Sequence, residues 1–311
     1  MRDRYFIFAI MLLFSGIMIN PGNLYARNET DKISILRSKA YQGDAQAQYD
    51  LGWIYLDGKE VKQDVSETIK LWRLSAQQGN EKAQYNLGAL YAEGRGVAQD
   101  LHEAKKLWLL SAQKGYAPAQ YNIGVMYADG NLVMQDYAEA LKWYRLSAQQ
   151  GYAMAQYNLG MMYAEGTGVS QDFTTAGKWW QLSAQKGYAP AQYNYGLMYA
   201  NGQGVAQDYA MAKKLWLLSA KKKNAPAQFN LGLLYEKGKG VAQNYSEAAK
   251  WYKLAADQGF AYAQCNLGIL YANGLGVNRN LPEAVKLLRL AADQGDTVAQ
   301  NLLMQLGNSG R

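Results

Sequence analysis

Residues 83–115 read AQYNLGALYAEGRGVAQDLHEAKKLWLLSAQKG, and variants of this segment recur along the chain. Its glycine at position 88 recurs every 36 residues without insertion or deletion, at Gly52, Gly88, Gly124, Gly160, Gly196, Gly232 and Gly268. A fixed period in this range is typical of solenoids, in which each unit buries its apolar face against its neighbours. The chain of 311 residues is therefore predicted to form one repeat array, although its length alone would suggest about two domains.

The first half of each unit is predicted to be a helix. In the quoted unit, Ala83, Leu87 and Leu90 lie on one helical face, which should be core. Gly88 lies in the middle of this helix, where glycine costs about 1 kcal/mol relative to alanine. We interpret Gly88 as the point where a neighbouring helix passes too close for a Cβ atom.

The second half of the unit is predicted to be another helix, with Trp108 as its main core residue. Burying an aromatic side chain is worth about 1.5–3 kcal/mol or more. Tryptophan recurs in the same part of other units, and we expect all six of these residues to lie in the core: Trp72, Trp108, Trp143, Trp179, Trp216 and Trp251.

The loop between the two helices, residues 94–100, reads GRGVAQD. Two glycines ahead of a helix raise the possibility of a phosphate-binding loop, because backbone N–H groups can approach an anion there. However, Glu60 and Leu132 replace Gly96 in other units, so a close approach to phosphate is not required. The loop is therefore predicted to be a structural joint.

Three residues of this joint have predicted structural roles. Gly94 should end the first helix in a left-handed conformation, and Val97 should plug the space beneath the loop. Asp100 should cap the second helix, with Glu103 three residues later completing a capping box.

The pattern A-x-A-Q-Y-N-L-G-x-x-Y-x-x-G-x-G-V-x-Q-D-x-x-x-A-x-x-W resembles the Sel1-like repeat, a relative of the tetratricopeptide repeat. The resemblance implies an all-α fold, a right-handed αα superhelical solenoid with half-repeats as caps. Residues 27–43 are the expected N-terminal capping helix, and residues 296–311 the C-terminal capping helix and tail. Seven repeats of 36 residues are expected within residues 44–295, at 44–79, 80–115, 116–151, 152–187, 188–223, 224–259 and 260–295.

The N-terminus has the pattern of an export signal. Arg2 and Arg4 precede an apolar run of 15 residues, Tyr5 to Ile19, and a small residue, Ala26, follows a break. The run is short for a membrane-spanning helix, which needs roughly 20 residues. We predict a signal peptide over residues 1–26, a periplasmic or secreted protein, and no membrane span after cleavage. An uncleaved anchor and an intracellular protein are the alternatives.

Composition disfavours most enzyme chemistry. The single cysteine, Cys265, excludes an intramolecular disulfide and a cysteine-based zinc cluster, and the single histidine, His102, disfavours histidine-dependent chemistry. The net charge of +7 identifies no particular partner. We predict a protein that is not an enzyme, with no catalytic residue, no cofactor, no metal site and no nucleic-acid partner.

By the family resemblance, the first helix of each repeat should line a concave wall. An aromatic ladder on it is the candidate partner-binding surface: Tyr49, Tyr85, Tyr121, Tyr157, Tyr193 and Phe229, with Trp53, Met161 and Leu197 one turn further on. Such a groove suits an extended peptide or a glycan. The alternative is that the tyrosines, and above all the asparagines that follow them, only join adjacent units.

A lysine ladder is predicted on the second helix of the repeats: Lys70, Lys106, Lys142, Lys178, Lys214, Lys250 and Lys286. In five units a glutamate three residues earlier can neutralise the lysine. Lys178 and Lys214 lack that partner, and together with residues 221–223 they leave one basic region. A solvated helix face is the favoured interpretation.

Together these features predict an exported, monomeric interaction scaffold that binds a protein, a peptide or a glycan. The resemblance implies roles such as envelope signalling or host interaction. The alternative is a β-lactam or peptidoglycan-fragment binding protein with weak hydrolase activity, as proposed for cysteine-rich relatives. Those relatives pair two cysteines in each unit, whereas this chain has one in total.

Overall fold

The computed structural model describes residues 29–308. Within this range the chain forms sixteen helices and no strand, which confirms the predicted all-α class. The predicted signal peptide lies outside the described residues. The first described helix, α1 (Glu29–Tyr41), and the last, α16 (Thr297–Asn308), flank seven helix pairs.

We call the first helix of each pair helix A and the second helix B. The A helices are α2 (Ala45–Asp57), α4 (Glu81–Glu93), α6 (Ala117–Asp129), α8 (Ala153–Glu165), α10 (Ala189–Asn201), α12 (Ala225–Lys237) and α14 (Ala261–Asn273). The B helices are α3 (Val65–Gln77), α5 (Leu101–Gln113), α7 (Tyr137–Gln149), α9 (Phe173–Gln185), α11 (Tyr209–Lys221), α13 (Tyr245–Ala256) and α15 (Leu281–Asp293).

Contacts group these helices into two compact units. Unit 1 extends to Ala155 and includes Thr167–Val169, and unit 2 comprises Gln156–Gly166 and the chain from Ser170 onwards. In unit 1, consecutive helices pack against each other from the pair α1–α2 to the pair α6–α7, and in unit 2 from the pair α9–α10 to the pair α15–α16. This consecutive stacking within each unit is the arrangement of a solenoid.

The GRGVAQD loop joins the two helices of a pair through hydrogen bonds. Gly94 has a φ of +66° and ends α4, and the Gln99 side chain donates from Nε2 to the Ala92 carbonyl at 2.8 Å. Gly96 also has a positive φ, and a Cβ atom there would lie 2.5 Å from Val65 Cγ1 of the preceding helix B. The N–H groups of Gly94, Arg95 and Asp100 and the Gln99 side-chain amide are therefore used within the fold.

The start of helix B is capped, but only half of the predicted capping box forms. An Asp100 carboxylate oxygen accepts from the backbone N–H groups of His102 and Glu103, both at 3.0 Å. The N–H of Asp100 donates to the Tyr91 carbonyl at 2.9 Å instead of to Glu103. The Glu103 carboxylate pairs with Lys106 at 3.2 Å. The hydrogen bond from the Asp100 N–H to the Tyr91 carbonyl therefore connects the start of helix B to the end of helix A.

The core of each pair is built around a close contact between the mid-helix glycine and one aromatic ring. Trp108 is 3% exposed, and its indole N–H donates to the Tyr85 carbonyl at 3.0 Å. A Cβ atom on Gly88 would lie 2.7 Å from Trp108 Nε1. Gly88 therefore leaves the space in which the indole reaches the backbone of helix A.

The structure corrects the predicted set of core tryptophans. The buried position is occupied at intervals of 36 residues by Trp72, Trp108, Tyr144, Trp180, Trp216, Tyr252 and Leu288. Trp143, Trp179 and Trp251 come one residue earlier and are only half-buried. One residue turns a helix by about 100°, which directs these three side chains away from the glycine contact.

Asp129, the last residue of α6, is an unfavourable feature of the fold. Burial raises the pKa of its carboxyl group to about 6, and its buried Oδ2 atom has no hydrogen-bond partner. A negative charge at a helix C-terminus also opposes the helix dipole. Because the folded pKa lies above the unfolded value of 3.8, the charge destabilises the fold fully above pH 6, and this effect is lost as the pH falls below the unfolded pKa.

We expect Asp129→Asn to raise the free energy of unfolding by about 1 kcal/mol at neutral pH, allowing for partial exposure, and to have almost no effect at about pH 3, below the unfolded pKa. Urea unfolding at the two pH values measures the difference. Asn201 and Asn273 occupy the equivalent position in other repeats, so the residue fits there. Asp57→Asn is the matched control, because Asp57 is exposed and paired with Lys59 at 2.9 Å. An equal gain at both pH values would contradict the expectation.

Candidate functional site

The predicted aromatic ladder lies on the A helices, but its members differ in burial. Tyr49 and Tyr85 are 0% and 3% exposed. The remaining four rings are half-buried: Tyr121, Tyr157, Tyr193 and Phe229. A fully buried ring cannot stack on a ligand, so the structure removes Tyr49 and Tyr85 from the candidate binding surface.

Hydrogen bonds explain the burial of the first rings. The Tyr49 hydroxyl accepts from Trp53 Nε1 at 2.8 Å and from Asn86 Nδ2, in the next helix A, at 3.2 Å. In unit 2, Asn194 donates to the Tyr157 hydroxyl in the same way at 3.4 Å. Burial raises the pKa of Tyr49 to about 12. These asparagines and hydroxyl groups therefore join adjacent repeats, which was the alternative interpretation of the ladder.

A second set of aromatic residues, which sequence reasoning missed, lies at the residue that precedes a helix A. Each ring of this set packs on a ladder ring of the preceding repeat. The ring centroids are 5.3–5.4 Å apart in the four pairs Tyr85–Tyr116, Tyr121–Tyr152, Tyr157–Tyr188 and Phe229–Phe260. The available signal was an aromatic residue before alanine that recurs with the repeat period.

One of these pairs is extended to a group of three rings, Phe229, Phe260 and Tyr262, which we call the aromatic cluster. The Tyr262 centroid lies 6.1 Å from that of Phe229 and 5.7 Å from that of Phe260. Tyr262 is 52% exposed, and Phe229 packs from within on Tyr252 at 5.6 Å. The cluster thus presents a fixed apolar surface with one accessible ring and one hydroxyl group.

The three variable residues one turn along helix A also make contacts inside the array. Trp53 packs edge-on against Trp72 at 5.6 Å, the Met161 sulfur accepts from Asn194 at 3.0 Å, and Leu197 packs against the buried cluster that contains Trp216. All three are half-buried. They therefore contribute to packing, and their binding role stays a prediction.

The cysteine thiol is buried and the histidine imidazole is exposed. Cys265 is 3% exposed, and burial, aided by the charge of Asp296, raises the pKa of its thiol to about 12. A protonated, buried thiol is a poor nucleophile. His102 is exposed in the first turn of α5.

Residues 29–308 contain no group of three or more His, Cys, Asp or Glu side chains placed to hold a metal ion. No helix in that range is long and apolar enough to cross a membrane.

The B helices carry an exposed leucine row that sequence reasoning also missed. Its members lie 36 residues apart and are 40–47% exposed: Leu74, Leu110, Leu146, Leu182, Leu218, Leu254 and Leu290. The row lies one turn after the lysine ladder. Five lysines of that ladder form the predicted pairs with glutamate, among them Lys70 with Glu67 at 3.3 Å.

Comparisons with known proteins agree with this architecture. The sequence model of one family, described as the Sel1 repeat, matches seven consecutive segments at 45–80, 81–116, 117–152, 153–188, 189–224, 225–260 and 261–296. These segments begin one residue later than the frame taken from the sequence. No curated protein matches the chain.

Two crystal structures are similar over most of this chain. One is a protective antigen present in uropathogenic Escherichia coli strains, which is 34% identical with a TM-score of 0.81 over 95% of this chain and 62% of that protein. The other is a Sel1 repeat protein from Oxalobacter formigenes, which is 36% identical with a TM-score of 0.69 over 90% of this chain and 83% of that protein. The chain therefore spans less than two thirds of the Escherichia coli protein.

Proposed function

Since this chain belongs to the Sel1 repeat family, whose members are generally protein–protein interaction scaffolds, we propose that it is a non-enzymatic scaffold that binds a protein or peptide partner. The observation that carries the proposal is the aromatic cluster, in which a 52% exposed Tyr262 ring is supported by two further rings. This cluster replaces the full tyrosine ladder as the proposed binding site.

Rigid aromatic side chains suit partner capture. Tyrosine offers a large contact area for the loss of few rotatable bonds, and its hydroxyl group can form a hydrogen bond at the edge of the contact. Phe229 and Phe260 hold the ring of Tyr262 by direct contact, so little side-chain entropy is lost on binding. A partner segment with an apolar or aromatic side chain fits this surface, and the ring of a glycan is the alternative ligand.

We further propose that the protein acts in the periplasm or outside the cell, in envelope or host interaction. The signal pattern of residues 1–26 supports export. The 34% identical Escherichia coli protein is a protective antigen, which supports a location that a host can reach. The mass of the protein recovered from periplasm and medium tests this, because cleavage near Ala26 removes a defined fragment. A full-length cytoplasmic product would contradict it.

Photo-crosslinking tests the binding site. A photoreactive amino acid at position 262 should crosslink to a defined polypeptide in the exporting bacterium or in host secretions, and mass spectrometry identifies that polypeptide. Tyr262→Ala should then weaken its binding to the full chain about tenfold or more, as expected for an aromatic anchor. Because Tyr262 is half exposed, the melting temperature should stay nearly unchanged.

Tyr41 provides the matched control. It is a 62% exposed tyrosine at the end of α1 and forms no part of the aromatic cluster. A photoreactive residue at position 41 should not capture the same polypeptide, and Tyr41→Ala should not alter its affinity. Equal capture from both positions, or unchanged binding by Tyr262→Ala, would rule out the aromatic cluster as the binding site.

A further inference from the structure

Unit 2 contains a groove on helix α11 that is rich in lysine. It has a volume of about 400 Å³ and is lined by Lys213, Lys214, Leu217, Leu218, Lys221 and Gly240, among others. Leu218 belongs to the exposed leucine row and is 41% exposed. We call this feature the basic groove.

An internal copy shows that the charge of the groove is specific to unit 2. Residues 105–112 and 213–220 have the same sequence, KKLWLLSA. Their surroundings differ, because residues 101–132 contain three lysines, one glutamate and one aspartate, whereas the equivalent residues 209–240 contain seven lysines and one glutamate. The same scaffold thus has a nearly neutral version in unit 1 and a strongly basic version in unit 2.

In the unit 1 copy, both lysines have partners within the fold. Lys106 pairs with Glu103 at 3.2 Å, and Lys105 donates to the carbonyl of Leu132 at 3.1 Å. The position that corresponds to Lys221 is Gln113. This copy therefore has only a small excess of positive charge to offer to a ligand.

In unit 2, the acidic partner is missing. Met211 stands where unit 1 has Glu103, and no ion pair forms at Lys213, Lys214 or Lys221 within the described part of the chain. Asp208 caps the start of α11 by accepting from the Met211 N–H at 2.9 Å, and Glu236 accepts a hydrogen bond from the Tyr252 hydroxyl.

The lysines gain little from the fold itself. Lys213 lies 5.3 Å from the centre of the Tyr235 ring. Lys214 and Lys221 line the same groove, and a negatively charged ligand there would offset their positive charge. Lys222 donates to the Gly187 carbonyl at 2.6 Å, and Lys239 lies 5.5 Å from the centre of the Tyr209 ring. Lys214 and Lys221 are therefore the groove lysines for which the described residues supply neither an ion pair nor a ring contact.

We propose that the basic groove binds an acidic segment of a protein partner. Carboxylates of that segment pair with Lys214 and Lys221, and an apolar side chain enters the groove against Leu217 and Leu218. A volume of about 400 Å³ is enough for side chains but not for a folded surface. A sulfated or phosphorylated glycan would leave the leucines unused, and a bilayer would require them to protrude. The groove lies on a B helix, so this proposal does not depend on the aromatic cluster.

Conversion of the groove into its unit 1 counterpart tests the proposal. The double variant Met211→Glu, Lys221→Gln restores the residues of the unit 1 copy while it keeps Lys214. The probe is a short fluorescein-labelled peptide that alternates Glu with Leu, titrated with the full chain and followed by fluorescence anisotropy. We expect about a tenfold loss of affinity in the variant, and a fall in affinity with rising salt. The same peptide with Gln in place of Glu should not bind.

The reverse exchange is the matched control. Leu132 stands where the groove has Gly240 and already has a positive φ of 64°. Glu103→Met, Gln113→Lys, Leu132→Gly should therefore create a second basic groove in unit 1 and raise the number of peptides bound, while Lys106→Gln alone should change nothing. Circular dichroism checks that each variant is folded. Unchanged affinity after Met211→Glu, Lys221→Gln would overturn the proposal. Binding of phosphatidylglycerol vesicles or heparin through Lys221, without binding of the peptide, would assign the groove to a membrane or a polysaccharide instead.

Discussion

Trp108→Ala is expected to lower the free energy of unfolding by about 3–5 kcal/mol, the range for removal of a buried tryptophan. The Trp108 ring is 3% exposed and fills the space over Gly88. The variant also loses the hydrogen bond from the indole N–H to the Tyr85 carbonyl. Urea unfolding followed by circular dichroism measures the loss, and hydrogen exchange should show that it is largest in α4 and α5.

Trp143→Ala is the control, since Trp143 lies in the next repeat of the same compact unit, unit 1. Trp143 is half-buried and lies one position before the buried ring of Tyr144. We expect it to cost less than half as much, because the removed ring was still in contact with water. Equal losses for Trp108→Ala and Trp143→Ala would show that the glycine contact does not determine the stability of a repeat.

This pair of tryptophans shows what the sequence could and could not predict. The period of 36 residues and both helices of each repeat follow from the spacing of glycine and apolar residues. The core position was misassigned because the prediction followed the residue type, tryptophan, from repeat to repeat instead of following the position. Counting 36 residues from Trp108 leads to Tyr144, not to Trp143. Both positions are apolar, so hydrophobicity alone cannot separate them.

The loop between the two helices of a repeat also has hydrogen bonds that the sequence predicts and one that it does not. The left-handed Gly94 and the cap at Asp100 are local features, and local sequence predicts them. The bond from the Asp100 N–H to the Tyr91 carbonyl joins the end of helix A to the start of helix B. Such a contact depends on the angle between the two helices, which the capping-box pattern does not contain.

Exposure was the least predictable property of the candidate site. Tyr85 and Phe229 occupy equivalent positions, yet Tyr85 is buried and Phe229 is half-buried beside an exposed Tyr262. The position of Tyr262 carries no aromatic residue in the other repeats, where it is Gln46, Lys82, Pro118, Met154, Pro190 and Pro226. Because Tyr262 does not recur with the repeat period, a pattern based on recurring residues does not identify it. The aromatic cluster became visible only from the packing of neighbouring repeats.

The second large effect is expected for Gly196→Ala, which should lower the free energy of unfolding by about 2–3 kcal/mol. A Cβ atom at Gly196 would lie 2.5 Å from Trp216 Nε1, closer than the two atoms can approach. The ring must shift, and the bond from its N–H to the Tyr193 carbonyl at 3.1 Å is then weakened. Alanine improves helix propensity by about 1 kcal/mol, which reduces but does not offset the loss. Urea unfolding measures the result.

The seventh repeat supplies a natural control, because it has Leu288 where the fifth has Trp216. At Gly268 the nearest atoms to an added Cβ would be Leu288 Cγ at 3.0 Å and the Ala284 carbonyl oxygen at 3.2 Å, so Gly268→Ala should cost less than Gly196→Ala. Trp216→Leu recreates this situation in the fifth repeat. Adding Gly196→Ala to Trp216→Leu should then cost less than about 1 kcal/mol, and the difference from its cost in the natural chain measures the coupling between glycine and ring. If Gly196→Ala costs the same in both backgrounds, the glycine is retained for some reason other than the approach of the indole.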